Sequence, residues 1–90
     1  METIEVSSEA LHILKEGVSF QEKLVSRKYL DYSTRLKTFE EKHGMSSEEF
    51  RNRFESGVLG DDAEWFDWLY VYEAYNATLR RKALLESLPI

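Results

Sequence analysis

Two stretches of the chain carry apolar and aromatic residues at alternating spacings of four and three. The first is Val25, Tyr29, Tyr32, Leu36, Phe39 and His43, and the second is Trp65, Leu69, Tyr72, Asn76, Leu79 and Ala83. A helix completes a turn in about 3.6 residues, so residues spaced this way share one side and form a seam for packing on another helix. Arg27, Asp31 and Arg35 follow each other at intervals of four away from the first seam, a pattern that suits a solvated face. The spacing therefore predicts two long helices. Trp68, Tyr70, Val71 and Tyr75 lie outside the narrow second seam, so the last helix offers more apolar surface than one neighbour would cover.

The polar punctuation sets the boundaries. Gly44 can take the left-handed conformation that ends a helix, and Ser46-Ser47-Glu48-Glu49 then reads as a capping box, with Ser46 as N-cap and Glu49 reaching back. Met45 and Phe50 occupy the two positions of a hydrophobic staple. The short helix that follows carries Phe50 and Phe54 and should stop at Gly57, with Val58 placed for the apolar contact that accompanies such a stop. Gly60 marks a second turn, and Asp61-Asp62-Ala63-Glu64 opens the last helix with carboxylates at the positive end of its dipole. That helix should run to about Leu88, before Pro89, with Arg80, Arg81 and Lys82 towards its negative end.

The N-terminal part reads less simply. Ile4 and Val6 alternate with polar residues, as in a brief strand or an extended arm, and Ser7 or Ser8 can cap a helix starting near Glu9. Gly17 costs such a helix up to ~1 kcal/mol relative to alanine, so a break at residues 16–19 is expected, with residues 1–20 as a flexible arm or a separate short helix. The expected fold is all-α and a single domain over residues 1–90: an antiparallel helical hairpin with a short helical elbow at residues 45–60. Dimerisation would complete a four-helix bundle, because a two-helix hairpin leaves part of each apolar stripe open.

With 90 residues the chain has room for one core, and a core of that size is marginal enough for association to help. The absence of cysteine removes disulfides and thiolate sites and suits a reducing compartment; the cytoplasm is the expected location. No apolar run approaches the ~20 residues that span a bilayer, and no signal-peptide pattern precedes the first helix. Asp61, Asp62 and Glu64 do not match a calcium loop, His12 and His43 have no ligand spacing, and no phosphate loop or nucleophile elbow is present. An enzyme, a metal site and a cofactor are not expected.

Two surfaces remain as candidates for binding. Asp61, Asp62, Trp65, Asp67, Trp68 and Tyr72 interleave carboxylates with aromatics and could face a basic partner. Lys23, Arg27, Lys28, Arg35 and Lys37 make a local basic stripe that would serve a nucleic-acid adaptor, although a net charge of -5 opposes contact with phosphate. The seam residues Val25, Tyr29, Tyr32, Leu36, Phe39, Leu69 and Leu79 are expected in the core or at a dimer seam.

The run from Phe39 to Phe50, continuing through Phe54-Glu55-Ser56-Gly57 and Leu59-Gly60-Asp61-Asp62 to Trp65-Phe66-Asp67-Trp68, resembles a group of small prokaryotic antitoxin-like proteins encoded beside a toxin-like gene. The resemblance spans roughly residues 36–79 and leaves out the N-terminal third. It implies an antitoxin or accessory subunit that folds onto a cognate toxin-like partner and neutralises it by blocking its active site, with no catalytic residue of its own. It assigns no role to individual residues; the partner-facing set comes from the pattern of aromatics and charge.

Overall fold

The computed structural model describes residues 7–89, and the alternation of Ile4 and Val6 lies outside them. Three helices follow one another: α1 (Ser8–His43), α2 (Ser47–Glu55) and α3 (Ala63–Glu86). No strand occurs among the described residues. α1 and α3 lie antiparallel, with Gln21 beside Arg81 at one end and His43 beside Trp65 at the other, and α2 is wedged across the elbow.

Each helix begins where a side-chain oxygen satisfies a free backbone N–H. The Ser7, Ser46 and Asp62 oxygens accept from the N–H groups of Ala10, Glu49 and Glu64 at 3.1, 3.1 and 2.9 Å. α1 closes on Gly44, whose φ of 65° is open to glycine and whose N–H donates to the Glu40 carbonyl. After α2, Gly57 takes a φ of 79° and the Val58 N–H reaches back to the Arg53 carbonyl, but the Val58 side chain is 70% exposed. The expected apolar contact therefore leaves most of this side chain in water.

The capping box is completed differently from the sequence pattern. Glu49 pairs with Arg53 at 2.7 Å, and Glu40 of α1 instead accepts the Ser47 N–H at 2.7 Å. A charged acceptor at the first turn of α2 compensates its free donors and ties the elbow to the preceding helix.

α1 is unbroken through Gly17, contrary to the expected interruption at residues 16–19. The ~1 kcal/mol glycine penalty falls on one position of a long helix that is already nucleated, where each further residue adds a backbone hydrogen bond. At 36 residues α1 is about 54 Å long, and the 24 residues of α3 cover only about 36 Å. Counting back from the Gln21–Arg81 contact, at least residues 8–15 project past the end of α3. The radius of gyration is 18.3 Å, against roughly 12 Å for a compact globule of this length.

The core sits at the elbow. Leu36, Phe50, Trp68 and Val71 are its buried members, with Tyr32, Phe39, Leu69 and Tyr72 packed against it. The α3 seam lies one residue earlier than the spacing suggested: Trp68, Val71, Tyr75 and Thr78 face α1, a rotation of about 100°. Because α3 is apolar around most of its circumference near its start, several stripes share the same spacing, and the one through Trp68 and Val71 is the one that packs beneath α2 and against α1. Leu69 and Tyr72 are half-buried on the flank where α2 lies, while Leu79 and Ala83, beyond the reach of α2, are exposed. On α1, Val25 and Leu36 are buried and Tyr29, Tyr32 and Phe39 half-buried, as a helix seam requires.

Candidate partner-binding surface

Trp68 organises the elbow. Its ring stacks on Phe50 at 4.0 Å with planes 3° apart and on Phe39 at 5.4 Å with planes 7° apart. Ser47 Oγ accepts its indole N–H at 3.0 Å, so the polar edge of a fully buried ring is satisfied. Trp65 is half-buried beside it and donates its N–H to the Leu59 carbonyl at 3.1 Å, which pins the loop between α2 and α3. His43 closes the stack, with its ring 4.7 Å from Trp65 and 5.3 Å from Trp68.

A small charge cluster seals the end of this stack. Lys42 Nζ lies 2.8 Å from Glu64 Oε1, and His43 Nε2 lies 3.3 Å from the same oxygen without the alignment of a hydrogen bond. The hydrogen bond from Lys42 holds the Glu64 carboxyl below its ordinary range, desolvation opposing it and His43 adding to it. At the middle of the hairpin, Tyr29 and Tyr75 stack at 5.6 Å, and burial pushes the Tyr75 phenol above its ordinary value.

These contacts divide the predicted partner-facing residues. Trp68 is 0% exposed and belongs to the core, which corrects its placement on a binding surface. Trp65 and Tyr72 are half-buried and packed against the same core. Asp62 serves as the N-cap of α3. Asp61 and Asp67 are exposed, and neither takes part in an ion pair among the described residues. The aromatic members therefore build the fold, and of the three carboxylates, all exposed, Asp61 and Asp67 are left without a part in it.

The basic stripe is also rearranged. Lys23, Arg27, Lys28, Arg35 and Lys37 are all exposed, yet at about 100° per residue they spread over roughly half the circumference of α1, from Lys37 through Lys23 and Arg27 to Arg35 and Lys28. One nucleic-acid backbone would not meet them all together. Among the described residues, no group of three or more His, Asp or Glu side chains could hold a metal ion. No helix among them is long and apolar enough to cross a membrane.

Exposed apolar side chains occur beside the elbow, at Val58 and Phe66, and also towards the open end of the hairpin. Ile13, Phe20 and Leu24 of α1 and Leu84 of α3 are among its large exposed side chains. Leu24, Lys28, Ala77, Arg81 and Leu84 line an open groove of about 600 Å³ between the two helices. Sequence reasoning passed over this surface. The signal was present in Ile13, Gly17, Phe20 and Leu24, at spacings of four, three and four, but the expected break at Gly17 divided it.

No protein-family model matches the chain, and neither a curated protein nor a solved structure matches it.

Proposed function

We propose that this chain is a non-enzymatic protein-binding module of antitoxin-like type, which receives a toxin-like protein encoded beside it and neutralises that protein by covering it. The observation that carries the reading is the exposed apolar line Ile13, Phe20 and Leu24 on a helix that projects beyond its neighbour. A monomer gains little from such a line, and a contiguous exposed apolar patch is what a partner protein buries. The resemblance over residues 36–79 supports the same reading, although the residues that carry it, from Phe39 to Trp68, act mainly in the elbow. The acidic balance, with 17 carboxylates against 12 Lys and Arg, would speed encounter with a basic partner and make it sensitive to salt.

Co-expression with the product of the adjacent gene, followed by size-exclusion chromatography with light scattering, tests this. A mixed complex is expected, lost in the Ile13→Glu, Phe20→Glu double variant. Absence of a complex with the unaltered chain would refute the toxin-neutralising reading.

A second reading rests on the arrangement of the open half. There α1 and α3 form a single layer of two helices with apolar side chains on its outer surface, and a second copy would convert it into a four-helix bundle. The two readings meet at Leu24, which ends the apolar line and also lines the groove, while Ile13 and Phe20 belong to the first reading alone.

A further inference from the structure

α3 carries another line of residues at spacings of three and four: Asp67, Tyr70, Ala74, Ala77, Arg81 and Leu84. It lies away from the Leu69–Tyr72 flank, and its large members are open, with Tyr70 65% and Leu84 67% exposed. Its chemistry is arranged symmetrically about Ala74: Asp67 stands seven residues before it and Arg81 seven residues after. Seven residues are about two turns, so the anion, the alanine and the cation fall on one side of the helix.

Neither charge has an opposite partner among the described residues. Asp67 enters no ion pair among the described residues, and the Arg81 guanidinium meets only the neutral Gln21 amide at 3.2 Å. Between them Ala74 and Ala77 keep the surface low, which allows a second helix to approach towards the ~8 Å end of the usual range. The groove bounded by Leu24, Lys28 and Leu84 opens beside them, with Arg81 also in its lining.

We propose that two copies of this chain associate antiparallel along this side of α3, with the two-fold axis at Ala74. Asp67 of each copy then meets the partner's Arg81, and Tyr70 enters the partner's groove against the partner's Ala77. A two-fold axis makes every such contact twice, so one acid and one base supply two ion pairs. A parallel pairing would set Asp67 against the partner's Asp67 and Arg81 against the partner's Arg81, so the charges select the antiparallel orientation. The net charge of -5 on each copy sharpens that selection, because general repulsion is offset only where the two opposite charges coincide.

This inference rests on the dimer reading and is independent of whether a toxin-like protein binds. Light scattering of the full chain should give about twice the 10.6 kDa of one copy. Asp67→Arg and Arg81→Asp should each weaken association by about tenfold or more, because each variant opposes like charges at two places. The double variant Asp67→Arg, Arg81→Asp should restore association to near its original strength. The chain has no cysteine, so Ala74→Cys should give a disulfide-linked dimer on mild oxidation, while Ala83→Cys on the far side of α3 should not. A monomer at micromolar concentration would overturn the dimer reading and this inference together. A dimer that cross-links through Ala83→Cys but not through Ala74→Cys, or that ignores both single charge reversals, would overturn this face alone.

Discussion

The two halves of this hairpin are made from the same two helices and solve the burial problem differently. At the elbow a third helix crosses the pair, and Phe50, Trp68 and Val71 are fully withdrawn from water. At the open end nothing crosses, and Val25 is buried while Phe20 and Leu84 stay in solvent. Nine residues of α2 make this difference. A helix pair alone buries a stripe on each member, and only a third element turns those stripes into a core with an interior. The elbow is therefore the part that folds the chain, and the open half is the part left with surface to offer.

The strongest way to break that contrast is to empty the elbow. Trp68→Ala should lower stability by about 3–5 kcal/mol, measured by urea unfolding, because it removes a fully buried ring on which Phe50 and Phe39 stack. The exposed Leu30→Ser serves as its counterpart and should fall within about 0.5 kcal/mol of the parent. Equal losses from the two would show that the elbow has no special part in stability.

A finer test leaves the packing and removes one oxygen. Ser47→Ala should cost about 1–3 kcal/mol, since it orphans the buried Trp68 indole N–H. Ser47→Thr, which keeps a hydroxyl, should recover part of the loss in the same unfolding assay. A smaller change of opposite sign belongs to the open half: Gly17→Ala should add about 0.5–1 kcal/mol, because the added methyl group meets nothing and the backbone is already helical. Destabilisation at Gly17 would mean that the glycine serves close contact with another molecule.

The smallest expected effect concerns pH. Lys42 and His43 lower the Glu64 carboxyl below its unfolded value, so the pair contributes stability above the ordinary carboxylate range. That contribution is lost as pH falls through the lowered value. Glu64→Gln should accordingly lower the neutral plateau slightly and leave the acid end little changed, so that the acid limb of the stability profile becomes shallower. Parallel acid limbs in parent and variant would contradict the assignment.

The elbow was the more legible half because its signals are local. Gly44, Ser46, Gly57, Gly60 and Asp62 each act through the backbone within a few residues, and all appear at the ends of helices or in the turns that join them. The side of α3 that turns inward was less legible, because Trp65, Trp68, Leu69, Val71 and Tyr72 offer overlapping stripes and the position of α2 decides among them. The binding residues suffered from the same ambiguity: an aromatic such as Trp68 has one identity in sequence, whether it anchors a partner or fills a core. Glu40 shows a second limit, since its cap on α2 is formed across a turn from another helix.

The overhang of α1 gives one continuous helix two very different lifetimes. A pair of helical turns with no neighbour is near the limit at which helix persists in water, so the backbone amides of residues 11–15 should exchange with solvent by fraying. Those beside Leu36 and Phe39 can exchange only when the elbow comes apart. Along a single rod of hydrogen bonds, protection should rise from almost none to that of global unfolding, and the point where it rises marks where α3 ends. Any molecule that covers the overhang would move that point towards Ser8, and exchange would register its arrival without requiring a change of fold.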